Sequence, residues 1–268
     1  MRTALPISVA AIAAAGLLTA CDQQAEESTG PTTPTQSSSQ EAPVSQDAQT
    51  TSATTLSVSL EEQKAKSAGY LPDDVKVLYA DGIQAVVDSG VVGQAKSVGD
   101  EAPGFSLANQ SGEDVTLAGL LGEGPVVLLW YRGGWCPYCN LTLKAYQDRL
   151  DEINELGATL VAITPEVPDQ SLSTAEKNEL GFQVLSDPGN AVARAYGVVF
   201  ELTEGVHANY EQAFGLHAHN GDESGELPLA ATYVIDRDGA IRWAFLDADY
   251  RNRAEPQDVV DALGSLGG

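Results

Sequence analysis

Arg132-Gly133-Gly134-Trp135-Cys136-Pro137-Tyr138-Cys139-Asn140 lies between an apolar run and the start of a helical pattern, and that placement decides how the chain folds. The run before it, Val126-Val127-Leu128-Leu129-Trp130-Tyr131, is short, continuous and bounded by Gly124-Pro125 and Gly133-Gly134, which predicts a fully buried strand. After Cys139 the period changes. Leu143, Tyr146, Leu150, Ile153 and Leu156 recur at steps of three and four before Gly157, which predicts a helix of about four turns. Two cysteines therefore sit at a helix N-terminus, where unpaired N–H groups and the positive dipole end favour thiolate over thiol.

Working outward, Phe105–Asn109 and Val115–Leu117 flank a polar turn and predict a hairpin. Ala158–Thr164 predicts a second apolar strand, Leu172–Leu180 a helix, Phe182–Leu185 a short strand and Asn190–Tyr196 a helix. Ala231–Asp236 and Ala240–Phe245 are strands joined by Arg237-Asp238-Gly239, and Pro256–Leu266 is a final helix. This alternation predicts an α/β domain over residues 98–268, a central mixed sheet flanked by helices. Residues 56–97 predict a helical extension: Leu60–Ala68, then a helix carrying Val75, Leu78, Tyr79, Ile83, Val86 and Val87, with Pro72 near its start and Gly90 after its end. It packs on the main domain or serves dimerisation.

Residues 1–20 carry Arg2 and an apolar segment, Ala4 to Leu18, which fits an export signal too short to span a bilayer. Leu18-Thr19-Ala20-Cys21 resembles the bacterial lipoprotein processing box, which implies lipidation of Cys21 and anchorage to a membrane. Asp22 resembles an inner-membrane retention signal, which implies a domain on the periplasmic side of the inner membrane. Residues 21–55 are dominated by Gln, Ser, Thr, Pro, Ala and Glu, a composition that cannot bury a core and predicts a disordered tether.

The formal charge of −24, with only 14 basic residues among 268, disfavours nucleic acid as a partner. The chain has 3 cysteines, so a lipidated Cys21 leaves one pair, Cys136 and Cys139. A bridge across two residues constrains little of the unfolded chain, which favours redox use over a structural staple. Haem attachment needs His after the second cysteine, where Asn140 stands. A closed zinc site needs four ligands, and His207, His217 and His219 are the only imidazoles, so no metal and no cofactor is expected. His217 and His219, among Gly215, Asn220, Gly221 and Asp222, read as exposed loop residues.

Tyr131–Asn140, Leu172–Asn178, Leu185–Asn190 and Ala231–Gly239 together resemble the peroxiredoxin-like branch of the alkyl hydroperoxide reductase C and thiol-specific antioxidant family, from about Val98 to the end of the chain. The resemblance implies a thioredoxin-like fold and a thiol-dependent peroxidase, acting on hydrogen peroxide or organic hydroperoxides and re-reduced by a thioredoxin-like dithiol protein. Two departures stand out. Ungapped comparison with peroxiredoxins puts Cys139 in the peroxidatic place and Cys136 where they carry threonine, whereas comparison with thioredoxin makes Cys136 the attacking thiol. Before Thr232, where peroxiredoxins often carry arginine and thioredoxin-type reductases a cis-proline, this chain has Leu229-Ala230-Ala231.

A peroxide attack develops charge that fixed cationic donors stabilise, which makes Arg132 the first candidate and Arg253 the second. Trp135 and Tyr138 are expected to line the site. The alternatives are a membrane-tethered thiol–disulfide oxidoreductase and a redox sensor or copper-binding protein using the same pair.

Overall fold

The structure, a computed structural model, describes residues 55–267. The leader, Cys21 and all of the tether but Thr55 lie outside the described residues. The extension forms α1 (Leu56–Tyr70), α2 (Asp73–Ser89) and α3 (Val91–Gln94). Acidic Asp73 and Asp74 open α2 at its positive end, and Gly90 closes it in the left-handed region, φ +69°.

The main domain starts with the expected hairpin, β1 (Ser106–Asn109) and β2 (Asp114–Thr116), followed by α4 (Leu117–Glu123). Next come β3 (Val126–Trp130), α5 (Pro137–Gln147), α6 (Leu150–Glu155), β4 (Thr159–Thr164), α7 (Pro168–Lys177), β5 (Gln183–Ser186) and α8 (Ala191–Ala195). Then β6 (Val199–Glu201), α9 (Glu204–Phe214), α10 (Leu216–Asn220) and β7 (Glu226–Pro228) form an excursion before β8 (Ala230–Ile235), β9 (Ile241–Asp247) and α11 (Pro256–Gly264). Seven strands form one mixed sheet in the order β2-β1-β5-β4-β3-β8-β9, with β3, β4 and β5 parallel and the rest antiparallel. β6 and β7 pair with each other alone.

Side chains alternate across the sheet and feed two cores. Val126, Leu128 and Trp130 face one core, with Val86 of α2 and Val206 and Tyr210 of α9. Val127, Leu129 and Tyr131 face the other, with Leu56 and Leu60 of α1, both cysteines, and Val259 of α11. The extension thus supplies core residues to both faces. Its first turn is tied down by Glu255, whose carboxylate accepts the Leu56 and Ser57 N–H groups.

Two local expectations change. The four-turn helix is two helices, because Arg149 leaves helical geometry (φ −115°, ψ 10°) and Asp151 and Glu152 start a new N-terminal turn that favours acidic residues. Leu143, Tyr146, Leu150 and Ile153 stay buried on one face, while Leu156 is exposed. His217 and His219 belong to α10 and are half-buried; the flanking Gly215 and Gly221, at φ +68° and +74°, close helices rather than mark a loop. The β6-to-β7 excursion, with α9 at its centre, had no sequence expectation. No helix among the described residues is long and apolar enough to cross a membrane.

Candidate active site: a dithiol between two arginines

β3 ends inside the sheet and delivers Tyr131 and Arg132 to the edge of the core, where Gly133 and Gly134 turn the chain into α5. At Gly133 φ is +154°, and a Cβ there would stand 2.2 Å from the Trp135 indole; at Gly134 it would meet Thr174 Oγ1 at 2.0 Å. Only glycine fits either position. The Gly134 N–H donates to Glu166 Oε1 (3.0 Å), and its carbonyl accepts from Asn140 Nδ2 (2.8 Å). Asn178 holds Asn140 in turn (2.9 Å).

Cys136 caps α5 and Pro137 opens its first turn, where the missing N–H costs nothing. Cys139 follows one turn later. Both sulfurs are buried and unbridged. Arg132 Nη2 donates to Cys136 Sγ at 3.2 Å and Nη1 to the Tyr210 hydroxyl at 3.2 Å. Arg253 Nη2 donates to Cys139 Sγ at 3.4 Å, while its Nε holds the Tyr250 carbonyl at 2.9 Å. The Arg132 guanidinium lies over the Tyr250 ring at 3.7 Å, with Trp135 at 5.1 Å.

Neither arginine pairs with a carboxylate among the described residues. A buried cation without a counter-charge is costly, so a thiolate between these two offsets part of their charge. Burial alone would push the Cys136 thiol up; the hydrogen bond from the Cys139 thiol and the charges of Arg132 and Arg253 outweigh it and hold Cys136 well below the ordinary thiol range. Burial, and then the neighbouring Cys136 thiolate, hold Cys139 well above it. The two thiols are thereby held on opposite sides of the ordinary range, Cys136 low at the helix cap and Cys139 high one turn on. Arg132 Nε and Arg253 Nη1 are buried with no acceptor among the described residues.

Every site residue expected from sequence within the described region is brought together here. Trp135 stacks on Phe214 (5.2 Å), and Tyr138 meets Tyr250 edge-on (5.6 Å). Sequence reasoning missed Tyr210, Tyr250 and Glu166. Tyr210 recurs four residues after Val206 in a stretch given no helix, and Tyr250 lies in the same Asp249–Arg253 stretch that yielded Arg253. A cleft bounded by Tyr79, Ile83, Val86, Phe200, Val206 and Tyr250 reaches Arg132. Among the described residues no three His, Cys, Asp or Glu side chains converge to hold a metal ion.

Fold and site together define a thioredoxin-fold dithiol protein, a strand leading into a CxxC helix on a mixed sheet. Residues 98–244 match the AhpC/TSA family model, and the chain belongs to that family. It is 35% identical over 170 residues to a putative peroxiredoxin bcp of Haemophilus influenzae, covering 63% of this chain and 97% of that one. It is 28% identical over 165 residues to a chloroplastic peroxiredoxin Q of Gentiana triflora, covering 62% of this chain but only 64% of the relative's length. The peroxidoxin BcpB structure from Mycobacterium tuberculosis superposes with a TM-score of 0.50 at 24% identity, covering 63% of this chain and 97% of that one, a likeness of fold.

Proposed function

We propose that the protein is a thiol-dependent peroxidase in which Cys136 attacks hydrogen peroxide or an organic hydroperoxide and Cys139 resolves the product. The observation that carries this is the Arg132 guanidinium, buried without a carboxylate and donating to Cys136 Sγ at 3.2 Å. The Cys136 thiolate attacks one peroxide oxygen, the O–O bond breaks, and the departing oxygen leaves as water or alcohol after taking a proton. Arg132 and Arg253, which stand against the two sulfurs, supply fixed positive charge to offset the charge that oxygen gains. Cys136 is left as a sulfenic acid; the Cys139 thiol condenses with it, releasing water and forming the disulfide. A dithiol protein of thioredoxin type restores both thiols. The peroxiredoxin names of the relatives support the same reading.

The leader, Cys21 and the polar segment after it support export and a lipid anchor, placing this domain on the periplasmic side of the inner membrane. Mass spectrometry of the mature N-terminus tests that part: a diacylglyceryl group on Cys21 is expected, and an unmodified Cys21 overturns it.

Stopped-flow mixing of the reduced protein with hydrogen peroxide and cumene hydroperoxide tests the activity. Cys136→Ser loses the reaction, and Cys139→Ser retains a sulfenic acid on Cys136 that dimedone traps. A Cys136→Ser variant consuming peroxide at the parent rate overturns the assignment. Insulin-disulfide reduction with no peroxide turnover would instead favour a thiol–disulfide oxidoreductase.

A further inference from the structure

Peroxide chemistry at the dithiol gives the imidazoles of this chain no task, yet two of them meet. His207 lies on α9 and His217 on α10, on either side of the Gly215 turn, and their Nε2 atoms stand 2.8 Å apart. The ring planes are 68° apart and the centroids 5.0 Å apart, so the contact is nitrogen against nitrogen and not face against face.

Each ring is held from behind. Glu211 Oε2 accepts the His217 backbone N–H at 2.8 Å and lies 3.5 Å from His217 Nδ1. A carboxylate at that position draws the ring proton to Nδ1 and leaves Nε2 a lone pair, as it does behind metal-binding imidazoles. His207 is backed by Gly225, at φ +68°, where a Cβ would stand 2.8 Å from His207 Nδ1. Only a glycine lets the backbone come so close to the ring. The His217 side chain is 32% exposed, so an ion and its waters can reach the pair.

The spacing selects among ions. With imidazole–metal bonds of about 2.0 Å, two nitrogens bound at a right angle stand about 2.8 Å apart, and two at the tetrahedral angle about 3.3 Å. The observed distance matches the right angle; the rings have to tilt toward a common point, but the nitrogens need not separate. Right angles belong to square-planar and tetragonal sites, which Cu(II) and Ni(II) favour and zinc does not.

We propose that His207 and His217 form an open binding site for a dication of this class, Cu(II) or Ni(II), with water in its remaining positions. Among the described residues no third His, Cys, Asp or Glu joins the pair, so the site is a two-point clamp and not a closed cage. His207 enters it by moving its ring proton to Nδ1, a change of tautomer with no change of charge. The bound ion ties α9 to α10, and α9 is the helix whose Tyr210 accepts from Arg132.

The test uses the full chain with Cys21→Ser, Cys136→Ser and Cys139→Ser, so that no thiol competes. Equilibrium dialysis against Cu(II), Ni(II) and Zn(II) salts measures uptake, and electron paramagnetic resonance of the Cu(II) form reads the ligands directly. One Cu(II) per chain is expected, split by two imidazole nitrogens, with zinc bound more weakly than either other ion. His207→Gln and His217→Gln are each expected to weaken binding by roughly tenfold or more and to remove one nitrogen from the spectrum. His219→Gln, which alters the remaining imidazole, should change neither. Cu(II) should also raise the melting temperature of this background and of His219→Gln but not of the other two variants. No uptake at about 0.1 mM ion, a spectrum without histidine nitrogens, or equal loss in His219→Gln would overturn the site, as would zinc binding more tightly than Cu(II) and Ni(II).

Discussion

The guanidinium of Arg132 stands 3.7 Å from the centre of the Tyr250 ring, so the cation facing Cys136 is held by an aromatic face instead of a carboxylate. A carboxylate there would neutralise the charge that Cys136 needs. A ring steadies the guanidinium and leaves its field available to sulfur.

Replacing Arg132 with Met should raise the Cys136 thiol toward the ordinary value of about 8.5. Each unit of that rise removes about tenfold of the thiolate at pH values below it. The 240 nm thiolate absorbance of reduced protein, titrated in parent and Arg132→Met with Cys139→Ser as the common background, measures the shift. An unchanged titration would show that Arg132 does not set the thiolate.

Stability should carry the same signature. Cys136 is held low in the folded protein, so its contribution is fully present above the unfolded thiol value of about 8.5 and is lost as pH falls through the folded value. The stability of reduced parent relative to Cys136→Ser should therefore grow with rising pH across that window and level off above it. Cys139, held high, has the opposite sign: its contribution is present below about 8.5 and lost as pH rises through its folded value. Urea unfolding of both serine variants at several pH values separates the two slopes.

Tyr250→Leu should cost about 1–2 kcal/mol beyond the loss expected from area, because a desolvated cation loses its aromatic face. Tyr250→Phe should keep most of that. The comparison by denaturant unfolding isolates the ring from the hydroxyl, and equal losses in both variants would place the effect on the hydroxyl.

Gly134→Ala should destabilise by about 1–3 kcal/mol, since the new methyl meets Thr174 Oγ1 at 2.0 Å. Combining it with Thr174→Gly should recover part of that loss, a non-additivity that a double-mutant cycle reads directly. Additive losses would mean that the loop yields elsewhere.

Much of this was legible in the chain itself. The apolar run at Val126–Tyr131, the two glycines and the CxxC pair have strong local signals, and strand, turn and helix cap appear where those signals put them. The hairpin and the two long helices of the extension, α1 and α2, were equally visible. Residues 199–228 were not: β6, α10 and β7 are three to five residues each, too short for a period to declare itself, and the glycines that end helices there look like loop. The division between the thiols was hidden for another reason. Arg132 is four residues from Cys136, but Arg253 reaches Cys139 across 114 residues, and that pairing exists only once the chain after β9 has returned to the start of α5.

The stretch that places this chain in its family begins at residue 98 and ends at residue 244. Leu56 and Leu60, which share the core of the cysteines, precede it, and Tyr250 and Arg253, which hold the cation and the second sulfur, follow it. The working unit is thus wider than the homologous module. A fragment trimmed to the module would keep both cysteines and lose one of the two charges that set them apart.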